Sequence, residues 1–447
     1  LNREQLEEFI ENTMTKLRSA LTEANLLEPT VITDYSDMLA FRDELKSNID
    51  VLVPIAPGHS VQKCWAFGTP IEVMLADVGK PILRPAMTTW DFLDLEAVAA
   101  LRAHGAEAYF ASSLARANQI LKIMRVKKAL SRTKVGIFGY VDSRRAMISG
   151  TVPTNIVDPA LIKERTGVEA EYYQMDDFYK KVREIPDDEA QVTAEEWIKG
   201  ATKIQPVFRE GEIDIKHIEN SARIYLALKR IMDESGYSAL SGCDAPGLAI
   251  APHYPPCFGF VVLKDMGVPC ACEADMNAML AMIMLMYISG KPADMGNTLI
   301  ATYTDDHMED WMIPNPGPNT IIISHAVTPT KMDGFDKPAS EYRICGTHCS
   351  ACYDIMSYVE LRKGQDVTIA RMGPKLDKML IAEGVIEDTR MTIAEGNRNA
   401  VYIRVKNRDD FFEKQSDFGN HLTYVYGEYA TEMCELCRHL SIEPVCI

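Results

Sequence analysis

Two acids and two histidines in this chain are of the types and spacing that do metal chemistry. Glu273 follows the small and apolar stretch Gly267-Val-Pro-Cys-Ala-Cys272. An acid at the end of a buried strand is costly unless it meets a charged partner. Asp294 lies further on, in Lys291-Pro-Ala-Asp-Met-Gly296, with a helical stretch between the two acids. Two strand ends joined by one helix can bring both carboxylates to the same rim. His325 closes the β-branched run Thr320-Ile-Ile-Ile-Ser324, and His421 stands immediately before Leu422-Thr-Tyr-Val-Tyr426. Converging carboxylates with an open coordination position suit Mg²⁺ or Mn²⁺, and an added imidazole shifts the preference toward Mn²⁺. Each residue also has a plainer reading. Glu273 and Asp275 lie at a helix start, where the dipole favours anions. Asp294 reads equally as a loop aspartate, and either histidine as a hydrogen-bonded structural one. His307, among Asp305, Asp306, Glu309 and Asp310, reads as part of a solvated acidic loop.

The cysteines offer a second chemistry. Cys345-Gly-Thr-His-Cys349-Ser-Ala-Cys352 has the Cys-x3-Cys-x2-Cys spacing of the cluster motif of radical S-adenosylmethionine enzymes, where three thiolates leave one iron open. Ala351, however, occupies a place where that motif carries an aromatic. A structural zinc site shared with Cys434 and Cys437 is the better metal reading of these thiols, and free cysteines are the favoured one. The sequence holds 11 cysteines, an odd number, which fits reduced thiols rather than a secreted disulfide framework. Neither a Gly-x-Gly-x-x-Gly fingerprint, nor a Walker A loop, nor a Gly-x-Ser-x-Gly elbow occurs, so dinucleotide, P-loop and α/β-hydrolase readings have no motif support.

The elements that must position these residues alternate between helix and strand over most of the chain. Residues 3–27 read as helix. Val51 to Ala56 reads as a buried strand ending in Pro57-Gly58. Pro70 to Ala76 and Lys80 to Leu83 continue the alternation. Ser113 to Ser131 reads as helix and Lys134 to Gly139 as the strand opening a second α/β unit. That unit continues through a strand-like segment at Gly167 to Tyr173 and helices at Asp187 to Thr202 and Ile213 to Glu234. Leu248 to Ala251 and Phe258 to Leu263 read as strands, and Met276 to Ile288 as a helix. Beyond about residue 300 short strands dominate: 320–324, 367–371, 400–405 and 422–426. The expected architecture is α/β, with two Rossmann-like parallel-sheet domains (1–132 and 133–300) followed by a β-rich, barrel-like C-terminal domain (301–447).

With 447 residues, 47% hydrophobic and 25% charged, the chain is long enough for several cores and ordinary for a globular protein. Its net charge of −17 disfavours nucleic acid and anionic membrane surfaces as partners. The longest apolar run, Met276 to Ser289, is too short to cross about 30 Å of hydrocarbon. The first residues read as an amphipathic helix and not as a signal peptide, which points to the cytoplasm.

Taken together, Val268-Pro-Cys-Ala-Cys-Glu273-Ala-Asp275, the helix after it, Pro292-Ala-Asp294, and Gly419-Asn420-His421 with Tyr424-Val-Tyr-Gly427 resemble the L-fucose isomerase and L-arabinose isomerase superfamily. Gly68-Thr-Pro-Ile-Glu72 with Lys80-Pro81, Lys134 to Gly139, and Gly364 to Ala370 agree in order. The resemblance spans nearly the whole chain but is diffuse. It implies three domains and a Mn²⁺-dependent aldose–ketose isomerase, with Mg²⁺ or Co²⁺ as substitutes, that is a homo-trimer or homo-hexamer with sites near subunit boundaries. It implies that Glu273 and Asp294 are acidic metal ligands that also move protons, and that His421 is a ligand histidine. Asn420 matches a substrate-contacting position, and His325 is similar to a histidine of the arabinose isomerase branch. The family often carries a His–acid pair where this chain has Cys345-Gly-Thr-His-Cys349.

The chemistry expected from this is proton transfer between C1 and C2 of an open-chain pentose, 6-deoxyhexose or related sugar through an enediolate. The metal acts as Lewis acid and a carboxylate as base. Trp65, in Cys64-Trp-Ala-Phe-Gly68, would stack on the sugar or serve as a core or interface aromatic. Two other classes compete: a metal-dependent lyase or epimerase on a modified sugar, and a non-catalytic sugar-binding protein.

Overall fold

The helices and strands follow the hydrophobic patterning closely enough that most of the fold can be explained locally. In the computed structural model the described residues are 2–32, 37, 48–55, 71–87, 91–138, 158–205, 215–242, 256–299, 317–346, 355–391 and 399–447. They form two compact units, Leu1–Arg125 and Val126–Ile447.

In the first unit, α1 (Arg3–Ala20) starts at a capping box, in which Asn2 and Gln5 exchange side-chain-to-backbone hydrogen bonds. It is followed by α2 (Ile71–Ala76), β1 (Ile82–Pro85), α3 (Asp91–Ala103), β2 (Ala108–Ala111) and α4 (Leu114–Leu130), which runs to the start of the second unit. β1 and β2 pair in parallel, and Leu52 bridges to Ile82. Two small cores form here, one around Leu83, Ala111 and Leu121, the other around Ile82, Val98 and Leu101.

The second unit opens with β3 (Lys134–Phe138), α5 (Pro159–Thr166), β4 (Glu169–Tyr173), α6 (Met175–Arg183), α7 (Asp187–Gly200), β5 (Lys203–Gln205), α8 (Ile215–Ser235) and β6 (Ala239–Gly242). Next come α9 (Cys257–Asp265), β7 (Cys270–Cys272) and α10 (Met276–Ser289). Strands β4, β3, β6 and β7, in that order, make a parallel sheet. Phe258 to Leu263, expected as a strand, is helical and belongs to α9. Its residues are buried on all sides, and a short run apolar throughout does not distinguish a buried strand from a buried helix.

The remaining elements are β8 (Asp294–Leu299), β9 (Thr320–His325), β10 (Tyr342–Gly346), β11 (Ile355–Val359), β12 (Asp366–Met372), β13 (Lys378–Met391), β14 (Asn399–Arg404), α11 (Arg408–Gln415), β15 (Leu422–Tyr426), α12 (Ala430–His439) and β16 (Glu443–Cys446). Strands β12, β15, β8, β9, β14 and β13 pair antiparallel in that order, and β13 pairs back with β12, closing a six-stranded barrel. Closure removes the free edges that an open sheet exposes. The barrel is filled by Ile323, Ile369, Leu380, Ile403, Leu422 and Tyr424 among others. β16 adds outside the ring, parallel to β13, and β10 pairs with β11 and β5 in a separate small sheet.

α10 joins the parallel sheet to the barrel. It is apolar all round and buried from Met276 to Met286, as a helix wholly inside a core must be. Its N-cap Asp275 accepts from the Ala278 amide, and it ends at Gly290 in the left-handed conformation (φ 66°). Asn277, the one polar side chain in this run, donates to the carbonyls of Met372 and Gly373 beyond β12. The strand before α10 and the strand after it therefore lie in different sheets, and the site forms where those sheets meet. Among the described residues no helix is long and apolar enough to cross a membrane.

Candidate metal centre

Glu273 sits in the turn between β7 and α10, and the backbone there is forced. Glu273 and Ala274 have φ of 60° and 49°, the left-handed region that residues with a Cβ avoid. Two such residues in succession cost about 1–3 kcal/mol each, and strain of this kind collects at functional sites. Here the turn aims the Glu273 carboxylate at the rim of the barrel.

Two imidazoles meet it. His325, at the end of β9, places Nε2 3.8 Å from Glu273 Oε1. His421, just before β15, places Nε2 3.5 Å from Glu273 Oε2. The two rings are 5.7 Å apart, centre to centre. They flank β8, where Asn297 pairs with Ser324 on one side and Gly296 with Leu422 on the other. Gly296 has no room for a side chain: a Cβ there would lie 2.8 Å from the Ser324 carbonyl oxygen. The close packing of β8 on β9 at the level of the imidazoles therefore requires glycine.

Both histidines are buried, with 5% and 1% of their surface exposed, and this decides how the cluster is read. Neither ring nitrogen of His325, nor Nε2 of His421, has a hydrogen-bond partner. A buried polar group left without a partner costs about 1–3 kcal/mol, so orphaned nitrogens call for an occupant. Glu273, His325 and His421 each offer one ligand atom, all within 4.8 Å of one another. Burial works against protonation of His325, but the negative charges of Glu273 and Asp294 outweigh it and hold its pKa above the ordinary histidine value. These residues fit a divalent ion.

His421 is oriented from behind. Its Nδ1 lies 2.9 Å from Asp275 Oδ2, which fixes Nε2 toward Glu273. Asp275 is fully buried and also accepts from Arg371 Nη1 at 2.9 Å. Burial pushes its carboxyl up, and the Arg371 charge together with the hydrogen bond to His421 overcomes this, holding it well below the usual carboxylate range. Arg371 in turn donates to the carbonyls of Phe418 and His421, which fastens the loop before β15. A carboxylate behind a ligand histidine is the usual support of such a ligand. Sequence reading took Asp275 only as a helix-start acid. Its second role shows only when β12 and β15 are folded against α10.

Asp294 and His325 stand differently toward the cluster. Asp294 lies beside the cluster, but both its oxygens are engaged: Oδ1 with Lys264 Nζ at 3.1 Å and Oδ2 with the Tyr424 hydroxyl at 2.9 Å. His325, one of the two imidazoles that could complete a carboxylate–imidazole site, stands with Glu273 and His421 in the cluster. The physical reason Asp294 stands beside it is Lys264, a fully buried cation on α9 that must have a counter-charge. Burial and Asp294 together push the Tyr424 phenol well above its ordinary range, so it stays a donor.

Asn420 is exposed, and its amide ties the loop before β15 to β8, accepting from the Thr298 amide and bonding Asn297. Trp65, the acidic loop around His307, Leu248 to Ala251, Cys349 and Cys352 lie outside the described residues. Cys345 lies in β10, and Cys434 and Cys437 lie on α12. Among the described residues the Glu273, His325 and His421 group is the one cluster of three that could hold a metal. Comparison with known protein families finds no matching family model, and comparison with curated proteins finds no matching sequence.

Proposed function

We propose that the protein is a metal-dependent aldose–ketose isomerase acting on an open-chain pentose, 6-deoxyhexose or related modified sugar. One observation carries the reading: two buried imidazoles with orphaned nitrogens converge on a strained glutamate. Glu273, His325 and His421 would hold a divalent cation, Mn²⁺ by preference and Mg²⁺ or Co²⁺ as substitutes. When bound, the cation supplies Lewis-acid polarisation of the sugar carbonyl. Three protein ligands leave coordination positions for two sugar oxygens.

The chain's own residues supply the rest. Glu273 is the most exposed of the three, with 23% of its side chain accessible, so it is the group that meets substrate and moves the C2 proton. Asp294, its charge held by Lys264 and Tyr424, supports the wall of the site beside the cluster. Asp275 and Arg371 position His421. The two α/β regions are read as Rossmann-like domains, and the functional assembly as a cytoplasmic homo-trimer or homo-hexamer.

The test is a panel of aldopentoses and 6-deoxyaldohexoses assayed for ketose in the presence of Mn²⁺. Ketose should form, and should vanish with chelator and in Glu273→Gln. Turnover that survives both would contradict the assignment. A dehydrated or epimerised product would move it to a lyase or epimerase working through the same proton abstraction. Sugar binding that is indifferent to metal would move it to a non-catalytic binder.

A further inference from the structure

The thiols of α12 are not part of the metal centre, and two of them lie where a bond can form. Cys434 is on the buried face of α12, which packs on β13 and β16. Cys446 is in β16, opposite Ile381 of β13. Their sulfurs are 2.7 Å apart, well inside ordinary contact between two unbonded sulfurs and approaching the bonded length of about 2.05 Å. Cys437, one turn further along the helix, points elsewhere and donates to the Met379 sulfur at 3.6 Å. Cys446 is exposed, whereas Cys434 is 8% exposed.

We propose that Cys434 and Cys446 form a reversible disulfide that staples the strand outside the closed barrel to α12. β16 pairs with β13 along one side alone, so it is held by a single ladder. The bond would make its attachment depend on the thiol–disulfide balance. A low-molecular-weight disulfide such as oxidised glutathione is the oxidant. The exposed Cys446, as thiolate, attacks one of its sulfurs and expels one glutathione thiolate. Burial pushes the Cys434 thiol up to about 12, so it acts second, at a sulfur already in contact. It gives up its proton, attacks Cys446 Sγ and expels the second glutathione. One oxidised glutathione is reduced to two thiols for each protein disulfide formed.

The experiment incubates the folded 447-residue chain with oxidised glutathione, caps the remaining thiols with N-ethylmaleimide in denaturant, and maps tryptic peptides. Cleavage after Arg438 separates the two cysteines, so the link joins peptide 415–438 to peptide 439–447. The link should appear in wild type and in Cys437→Ala and be reversed by dithiothreitol. It should be lost in Cys434→Ala and in Cys446→Ser. The oxidised wild type should melt at a higher temperature than the reduced protein, and the Cys446→Ser variant should show no such difference. Glutathione left on Cys446 with Cys434 capped, a link that survives Cys434→Ala, or equal melting of the two forms would overturn the proposal.

Discussion

Two buried aspartates flank the metal centre, and the difference between them shows how a fold decides which acids serve a site directly. Asp275 puts Oδ1 on the Ala278 amide and shares Oδ2 between Arg371 from β12 and His421, so its charge passes to a ligand. Asp294 is gripped by Lys264 from α9 and by Tyr424 from β15, and those two bonds occupy both its oxygens. Both carboxylates are nearly free of solvent, and each has one cation. What separates them is the partner beside that cation: an imidazole on one side, a phenol on the other. A buried charge paired in this way is weak evidence of net stability, but removing one partner is expensive because it strands the other.

Breaking the pairs tests that contrast. The largest effect is expected from Arg371→Leu, which strands Asp275 and takes donors from the Phe418 and His421 carbonyls. It should cost about 3–5 kcal/mol in urea unfolding and weaken metal binding as well. Lys264→Met strands Asp294, but the Tyr424 hydroxyl still holds one oxygen. The expected loss is about 3 kcal/mol in the same unfolding measurement, at the lower end for a broken buried pair, with metal affinity changed far less than in the Arg371 variant. Asp275→Asn keeps the shape and removes the charge behind His421. Metal affinity by calorimetry should fall about 10–100-fold, and because Arg371 is left unpaired the variant should also unfold at lower urea than the wild type. Tyr424→Phe is the mildest, removing one hydrogen bond to a charged acceptor, for about 1.5 kcal/mol. If Asp275→Asn and Tyr424→Phe weaken metal binding equally, the two sides do not differ as described.

Much of this was legible in the sequence where local chemistry is decisive. The run Met276 to Ser289 between Asp275 and Gly290 marks α10 at both ends, because an aspartate cap and a left-handed glycine are local signals. The β-branched runs give β9, β12, β14 and β15 to within a residue or so. Glu273, His325 and His421 all stood out as candidates, since each ends or precedes a buried strand. What was not legible depends on contacts distant in sequence. Nothing in Pro292 to Gly296 says that β7 and β8 lie in different sheets, and Lys264, in a run otherwise apolar, gives no sign of where its charge will go. Arg371, closing Val367-Thr-Ile-Ala, was a missed signal: a buried arginine in a strand requires an acid, and Asp275 is that acid. That Asp294 stands beside the cluster rather than in it follows from Lys264.

The central claim is that Glu273, His325 and His421 bind a divalent cation, with Asp294 outside the ligand set. Calorimetric Mn²⁺ titration of the wild type, Glu273→Gln, His325→Ala, His421→Ala and Asp294→Asn tests it directly, with circular dichroism to confirm folding. The account predicts one site per chain in the wild type, at least tenfold weaker binding in each of the first three variants, and near wild-type binding in Asp294→Asn. Wild-type affinity in Glu273→Gln, or loss of binding confined to Asp294→Asn, would contradict it.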